Sequence, residues 1–300
     1  MKLSQIYSQN PDTPVISYEI FPPKGEDDEY EKKLAELFFE LKILKKFSPS
    51  FISVTYGAGG STQEKTFDLV LKIKNELNIT PMPHFTCVNA NRQSVCDYIK
   101  KVENNGINNI LALRGDPPLG SKAFVSKKNG FDYANELVKF IRSQTNLSIA
   151  AAGYPEKHPQ AETFAQDISN LKRKVDEGVD VVITQLFFDN DDFFQFCQKA
   201  QEAGINVPII PGIMPVTKVS QMEKITSMCG AKVPQDLYKK LLAHQEDFDY
   251  VRKLGIEFCI SQVNNLINYG VKGLHFYTLN KAFAVKEILE NVSCNTNQLS

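Results

Sequence analysis

The first group in this 300-residue chain that could move a proton is a carboxylate set among apolar side chains. Glu19 lies in the run Val15–Phe21, which continues into Pro22 and Pro23. If the run is a strand, Val15, Ser17, Glu19 and Phe21 share one face. Desolvation disfavours the charged form of a carboxyl so placed and should raise its pKa. A carboxyl still protonated at neutral pH can act as a general acid. A solvated rim position, or a lysine partner, would account for the same residue equally well.

Other polar groups fall at the ends of other apolar runs. Phe51–Tyr56 leads into Gly57-Ala58-Gly59-Gly60-Ser61-Thr62, where glycines admit a ligand close to the backbone and the next helix N-terminus favours an anion. The stretch fits neither GxGxxG nor GxxxxGK[ST], so a plain tight turn is the simpler reading. His84, in Pro83–Val88, is either a hydrogen-bonded core residue or a ligand contact. Arg114 and Asp116, at the end of Ile110–Leu113, either staple a loop or hold a polar heterocycle through matched donors and acceptors. Gln185, within Val181–Phe188, must find partners if buried, at a penalty of ~1–3 kcal/mol otherwise. On a helical wheel, Phe164, Ile168, Leu171 and Val175 form an apolar face. Beside it runs a stripe of Asp167, Asn170 and Lys174, with Arg173 further round. Two cations there could line a diphosphate groove, or simply face solvent.

Metal chemistry has little footing. The six cysteines (87, 96, 197, 229, 259 and 294) include no CxxC pair, the four histidines are scattered, and HExxH is absent. Free thiols point to a reducing cytoplasm. The first 14 residues lack the apolar centre of a signal peptide, and no stretch reaches the ~18 apolar residues of a membrane span.

To converge, these groups need a scaffold. Eight apolar runs, completed by Ser148–Ala152, Pro208–Met214 and Gly273–Tyr277, alternate with amphipathic stretches such as Tyr30–Leu44 and Phe131–Ile141. Strands followed each time by a helix imply a parallel sheet. Eight of them favour a closed (β/α)₈ TIM barrel over an open doubly wound sheet, with active residues at the C-terminal strand ends. Segment 217–269 has room for one crossover helix and two extra ones before the last strand. No linker or repeat divides the chain, so residues 1–300 read as one catalytic domain ending in a polar tail, Ser293–Ser300. A chain this long buries roughly 75% of its unfolded surface without staples. With 34 basic and 35 acidic residues, net charge −1, nothing marks a nucleic-acid or membrane surface.

The order of these segments resembles the methylenetetrahydrofolate reductases, in the short bacterial form without a regulatory domain. The resemblance rests on YEIFPPK (18–24), FISVTYGAGGST (51–62), HFTC (84–87), LALRGDPP (111–118), AAGYPEKHPQA (151–161), DISNLKRKVDEGVD (167–180), ITQLFFD (183–189), IIPGIMPV (209–216) and HFYTLN (275–280). It implies a (β/α)₈ barrel with one non-covalent FAD and two half-reactions at one site. A nicotinamide donor, NADH rather than NADPH, reduces the flavin, which then reduces 5,10-methylenetetrahydrofolate to 5-methyltetrahydrofolate for methionine synthesis. Glu19 matches the family's general acid, and Asp116 would face both pterin and flavin. FAD contacts carry over to Thr55, Tyr56, Ala58, His84, Arg114, Gly115, Asp116, Tyr133, Ala134, Tyr154, His158, Ala161, Asp167, Asn170, Arg173 and Lys174. Substrate contacts carry over to Glu19, Thr55, Asp116, Gln185, Gln221 and Lys281. Two departures stand out: Ile225 where the bacterial family stacks an aromatic ring on its ligand, and Lys281 where it often has Arg. Family members are usually homo-oligomers. The rivals are another flavin-dependent barrel oxidoreductase and a non-catalytic folate- or flavin-binding partner subunit.

Overall fold

The computed structural model describes residues 1–9, 13–56, 60–115 and 126–292, with backbone alone for 60–63. Eight parallel strands close into a barrel in chain order. They are β1 (Val15–Ile20), β2 (Phe51–Val54), β3 (Thr80–Thr86), β4 (Asn109–Leu113), β5 (Ser148–Gly153), β6 (Val181–Leu186), β7 (Ile209–Ile213) and β8 (Gly273–Tyr277). Helix α1 (Leu3–Gln9) precedes the barrel. Crossovers α2 (Asp27–Lys45), α3 (Gly60–Leu77), α4 (Arg92–Asn104), α5 (Ala134–Gln144), α6 (Phe164–Asp176) and α7 (Asn190–Glu202) follow the first six strands. Three helices, α8 (Val219–Cys229), α9 (Gln235–Ala243) and α10 (Phe248–Tyr269), separate β7 from β8, and α11 (Phe283–Asn291) follows. The eight strands thus stand at the eight apolar runs, and the two extra helices in segment 217–269, as its length implied. The tail Ser293–Ser300 lies outside the described residues.

Alternation along the strands sorts side chains into two layers. Tyr18, Ile20, Ile52, Val54, Ile110, Ala112, Val182 and Phe276 face outward and pack with the helices in the main core. Val15, Phe51, Met82, Leu111, Ala150, Val181, Ile183 and Ile210 fill the interior in a second cluster. Leu3, Ile6 and Tyr7 of α1 complete that cluster and plug the N-terminal end. Asn109 locks the plug: its Oδ1 accepts from Leu3 N at 2.8 Å, and its Nδ2 donates to Met1 O at 2.9 Å.

Most strand bounds differ from the sequence expectation by one or two residues, and the starts of β3 and α5 differ by three. β3 begins at Thr80 rather than Pro83. Pro81 and Pro83 lie on alternate residues, so both leave the same strand edge without an N–H, and pairing to β4 starts only at His84. α5 begins at Ala134, whereas Phe131 is buried ahead of it against Phe140, ring centroids 5.5 Å apart. Among the described residues, no helix is long and apolar enough to cross a membrane.

Candidate active site

At the C-terminal end of the barrel the interior turns polar. The register sets Glu19 beside Ser53 on β2 and Tyr277 on β8, with Ser17 one step below beside His275. Glu19 is buried, and its Oε2 lies 3.5 Å from His84 Nε2 and 3.8 Å from His275 Nε2. No lysine or arginine pairs with it among the described residues, so two imidazoles stand where a rim lysine was the plain alternative. His275 is fully buried; its Nδ1 is 2.8 Å from Ser17 Oγ and its Nε2 3.4 Å from Ser53 Oγ. Thr278 pins the strand end by donating its hydroxyl to Glu19 O at 2.8 Å.

His84 is buried and neutral in character. Desolvation pushes its pKa down to about 4, against the pull of Glu19 and with help from His275. Its Nε2 makes no hydrogen bond within the protein. A buried ring nitrogen with no hydrogen bond is uncommon; here its nearest charged neighbour is Glu19 Oε2, at 3.5 Å.

A second cluster lies at the rim of β4, β5 and α6. Arg114 donates through Nη1 to Gln160 Oε1 and sits over the Tyr133 ring, 5.6 Å from its centroid. Gly115 adopts φ +82°, and a Cβ there would fall 2.8 Å from Val88 Cγ2 and 2.9 Å from Thr86 Cβ, so no larger residue fits. Tyr154 and His158 meet edge to face at 4.5 Å. Asp167 accepts from His158 N at 2.9 Å, and Lys174 donates to Ala152 O at 2.5 Å. Burial lowers the His158 pKa; Asp167 opposes this, while Lys174, Arg114 and Lys157 add to it. Lys174 itself is pushed down to about 8 by desolvation, partly offset by Asp167. Three cations bearing on one imidazole define a positive rim. Arg173 donates to Asn170 Oδ1 beside it but points to solvent. Ala161 is buried and its N–H donates to His158 O at 3.0 Å; Ala134 opens α5 next to Tyr133.

The structure therefore joins Glu19 to His84, and joins Arg114, Gly115, Tyr133, Tyr154, His158, Asp167 and Lys174 along the rim. Thr55 follows β2, its N–H donating to Ile20 O at 3.0 Å. The Tyr56 ring turns into the helix layer, 5.4 Å from Phe85 and 6.2 Å from Tyr98. Gln185 is half-buried; its Oε1 accepts from Leu186 N at 2.9 Å, and it lines a cleft with Tyr154 and Glu156. Gln221, in the first turn of α8, accepts from Thr217 Oγ1 at 3.5 Å, and Ile225 packs into the α8–α10 cluster. Lys281 is exposed and reaches Glu40 on α2 at 3.3 Å, with no contact to Glu19. Asp116 and Ala58 lie outside the described residues.

Sequence reasoning singled out neither His275, Ser17 nor Ser53. Parity alone places Ser17 with Glu19; the partners on β2 and β8 depend on register, which one chain's pattern does not carry.

The family model described as methylenetetrahydrofolate reductase matches residues 2–293. The 5,10-methylenetetrahydrofolate reductase of Escherichia coli (strain K12) is 37% identical over 267 residues, covering 89% of this chain and 86% of its own. Methylenetetrahydrofolate reductase (NADH) 1 of Arabidopsis thaliana is 36% identical over 288 residues, covering 92% of this chain and 48% of its own. This chain thus spans about half the length of its plant relatives. Among solved structures, an uncharacterized protein from Clostridium thermocellum, which binds two copies of 5-methyl-5,6,7,8-tetrahydrofolic acid, superposes with a TM-score of 0.65 and 14% identity over 96% of each chain. At that identity the likeness concerns the fold.

Proposed function

The chain belongs to the methylenetetrahydrofolate reductase family, and from that premise we propose that it reduces 5,10-methylenetetrahydrofolate to 5-methyltetrahydrofolate, taking electrons from a nicotinamide dinucleotide through non-covalent FAD. The observation that carries the proposal is Glu19, a buried carboxyl at the catalytic end of the barrel with two imidazoles and no ammonium or guanidinium partner among the described residues. NADH is the preferred donor in this reading, as the name of the plant relative gives for that protein.

The residues present fit a flavin dinucleotide. Lys174, Arg114 and Lys157 supply the positive rim that a diphosphate requires, and His84 Nε2 offers a buried nitrogen with no hydrogen bond. When bound, FAD would supply the redox centre that lets one site serve both substrates in turn.

The folate bridge must open to an iminium before it accepts a hydride, and opening requires a proton at the departing nitrogen. Glu19 is the group suited to deliver it. Ser17 holds His275 by its Nδ1, and His275 and His84 flank the acid. With its Oε1 committed to Leu186 N, Gln185 would meet the substrate through its amide N–H₂. Asp116, by its place after the β4 rim, is proposed to hold the pterin edge. Gln221 on α8 would complete the substrate side. A cytoplasmic, homo-oligomeric enzyme completes the proposal; five free cysteines among the described residues suit a reducing compartment.

Anaerobic stopped-flow absorbance at the flavin band tests this. NADH should bleach the FAD-loaded protein, and methylenetetrahydrofolate should restore the colour. A protein that takes up no FAD ends the reductase reading. Bleaching without folate-driven return would leave a flavoenzyme with a different acceptor.

A further inference from the structure

Glu156 belongs to neither cluster, yet it connects the elements that carry them. It lies on the loop between β5 and α6, between Tyr154 and His158. Its side chain, only 7% exposed, crosses to the segment that follows α8. There its two oxygens accept the backbone N–H of Lys232 at 3.2 and 3.0 Å, across 76 positions of sequence. The Lys232 ammonium is 3.7 Å away but 78% exposed, so its ion pair is screened by solvent and the backbone bond is the more specific part of the contact. Two further contacts converge here. α8 is capped by Gly230, φ +78°, whose Cβ site is 3.4 Å from Pro159 Cγ of the same loop. Below the contact, Glu156, Tyr154, Gln185, Cys229 and Ala231 line one cleft.

A carboxylate accepting a backbone N–H makes a charge-assisted, directional tie. α8 carries Gln221 and Ile225 on the proposed substrate side, whereas the β5–α6 loop carries Tyr154 and His158 on the proposed flavin side. We propose that Glu156 is a positioning residue that clasps the C-terminal end of α8 to the flavin loop and so sets the substrate helix relative to the cofactor. This rests on the reductase reading for its kinetic consequence, although the clasp itself does not. Releasing it lets α8 sample positions away from the mouth. Apparent affinity then falls by the fraction of molecules still in place.

The test is a set of FAD-loaded variants assayed for methylenetetrahydrofolate turnover, with amide exchange of Lys232 and of α8 as a readout independent of turnover. Glu156→Ala should raise the folate KM about tenfold, change kcat less than about threefold, keep FAD bound and unprotect the Lys232 amide. Glu156→Gln retains an oxygen that can accept the N–H and should stay within about threefold of wild type. Glu156→Asp, one methylene short, should resemble Glu156→Ala and serves if the alanine variant does not fold. Lys232→Ala keeps its backbone N–H and should change little. An unchanged folate KM in Glu156→Ala, or equal damage from Lys232→Ala, overturns the proposal. So does loss of FAD as the main defect, which would tie Glu156 to the cofactor loop alone. If wild type fails to turn over folate, the reductase reading falls, and Lys232 amide exchange still decides the clasp.

Discussion

Acidification should destabilise this protein in part through one buried imidazole. Burial holds the His84 pKa near 4 in the folded state, against 6.5 when exposed. Because the folded value is the lower one, the unfolded chain binds a proton between those values that the native state refuses. Stability is then complete above about pH 6.5 and is lost as pH falls toward 4, at about 1.4 kcal/mol per unit. Between pH 7.5 and pH 5 the loss comes to about 2 kcal/mol, rising to about 3 kcal/mol near pH 4. Urea unfolding of wild type and of His84→Gln at both pH values isolates this contribution, since the remaining titrating groups are common to both proteins. Wild type should lose about 2 kcal/mol more than the variant on going to pH 5. Equal losses would mean that His84 is solvated or already protonated in the native state, and the reasoning would fail. The point bears on the chemistry as well. An imidazolium 3.5 Å from Glu19 would be a poor neighbour for a group that must carry a proton, whereas a neutral ring tolerates it.

Glu19→Gln should leave FAD bound and reducible by NADH while folate reduction drops at least ~100-fold; normal folate turnover would remove Glu19 from the acid role. Arg173→Ala with Lys174→Ala should weaken FAD retention, and a double variant that purifies fully yellow with unchanged affinity would refute the groove. Lys174, with its pKa pushed down to about 8, is neutral above that pH in the FAD-free protein. FAD affinity measured by titration should therefore fall as pH rises through 8, with proton uptake on binding, and Lys174→Arg should flatten the profile; a flat wild-type profile contradicts this.

The barrel was legible because each strand repeats one signal, a short apolar run closed by Gly, Pro, Asp or Asn, and eight repeats admit few topologies. Helix α1 was not legible. Seven residues with Leu3, Ile6 and Tyr7 as their apolar members offer too short a period to stand out, and the contacts that fix them come from Asn109 and the barrel interior. Glu19 could be found from local pattern, since a carboxylate in an apolar run is conspicuous on its own. The wheel of α6 found Lys174 but could not separate groove from solvated face. That separation needs Arg114, Lys157 and His158, which reach the same rim from the loops after β4 and β5. The Glu156 clasp lies furthest from sequence reading, because it depends on where the end of α8 lands after the intervening strands have closed.

Why Gln185 faces the cleft is a question about the sheet rather than the side chain. The β6–β7 ladder shifts register between Ile183 and Leu186, and such irregularities near sites re-aim side chains. Thr184 takes over the missing pairing: its Oγ1 accepts from Gly212 N at 2.9 Å, and its carbonyl accepts the Tyr277 hydroxyl at 2.7 Å. Only glycine fits at 212, because a Cβ would lie 2.2 Å from Thr184 O and 2.7 Å from the Tyr277 ring. Burial raises the Tyr277 pKa well above its usual value, with the charge of Glu19 adding to the effect. That hydroxyl thus remains a donor and needs an acceptor, since an unpaired buried one costs on the order of 1–3 kcal/mol. A regular ladder would take Thr184 O for the backbone and leave Tyr277 without one. The irregularity therefore coincides with the bond that gives the tyrosine beside Glu19 its partner, one residue before Gln185 on the same strand.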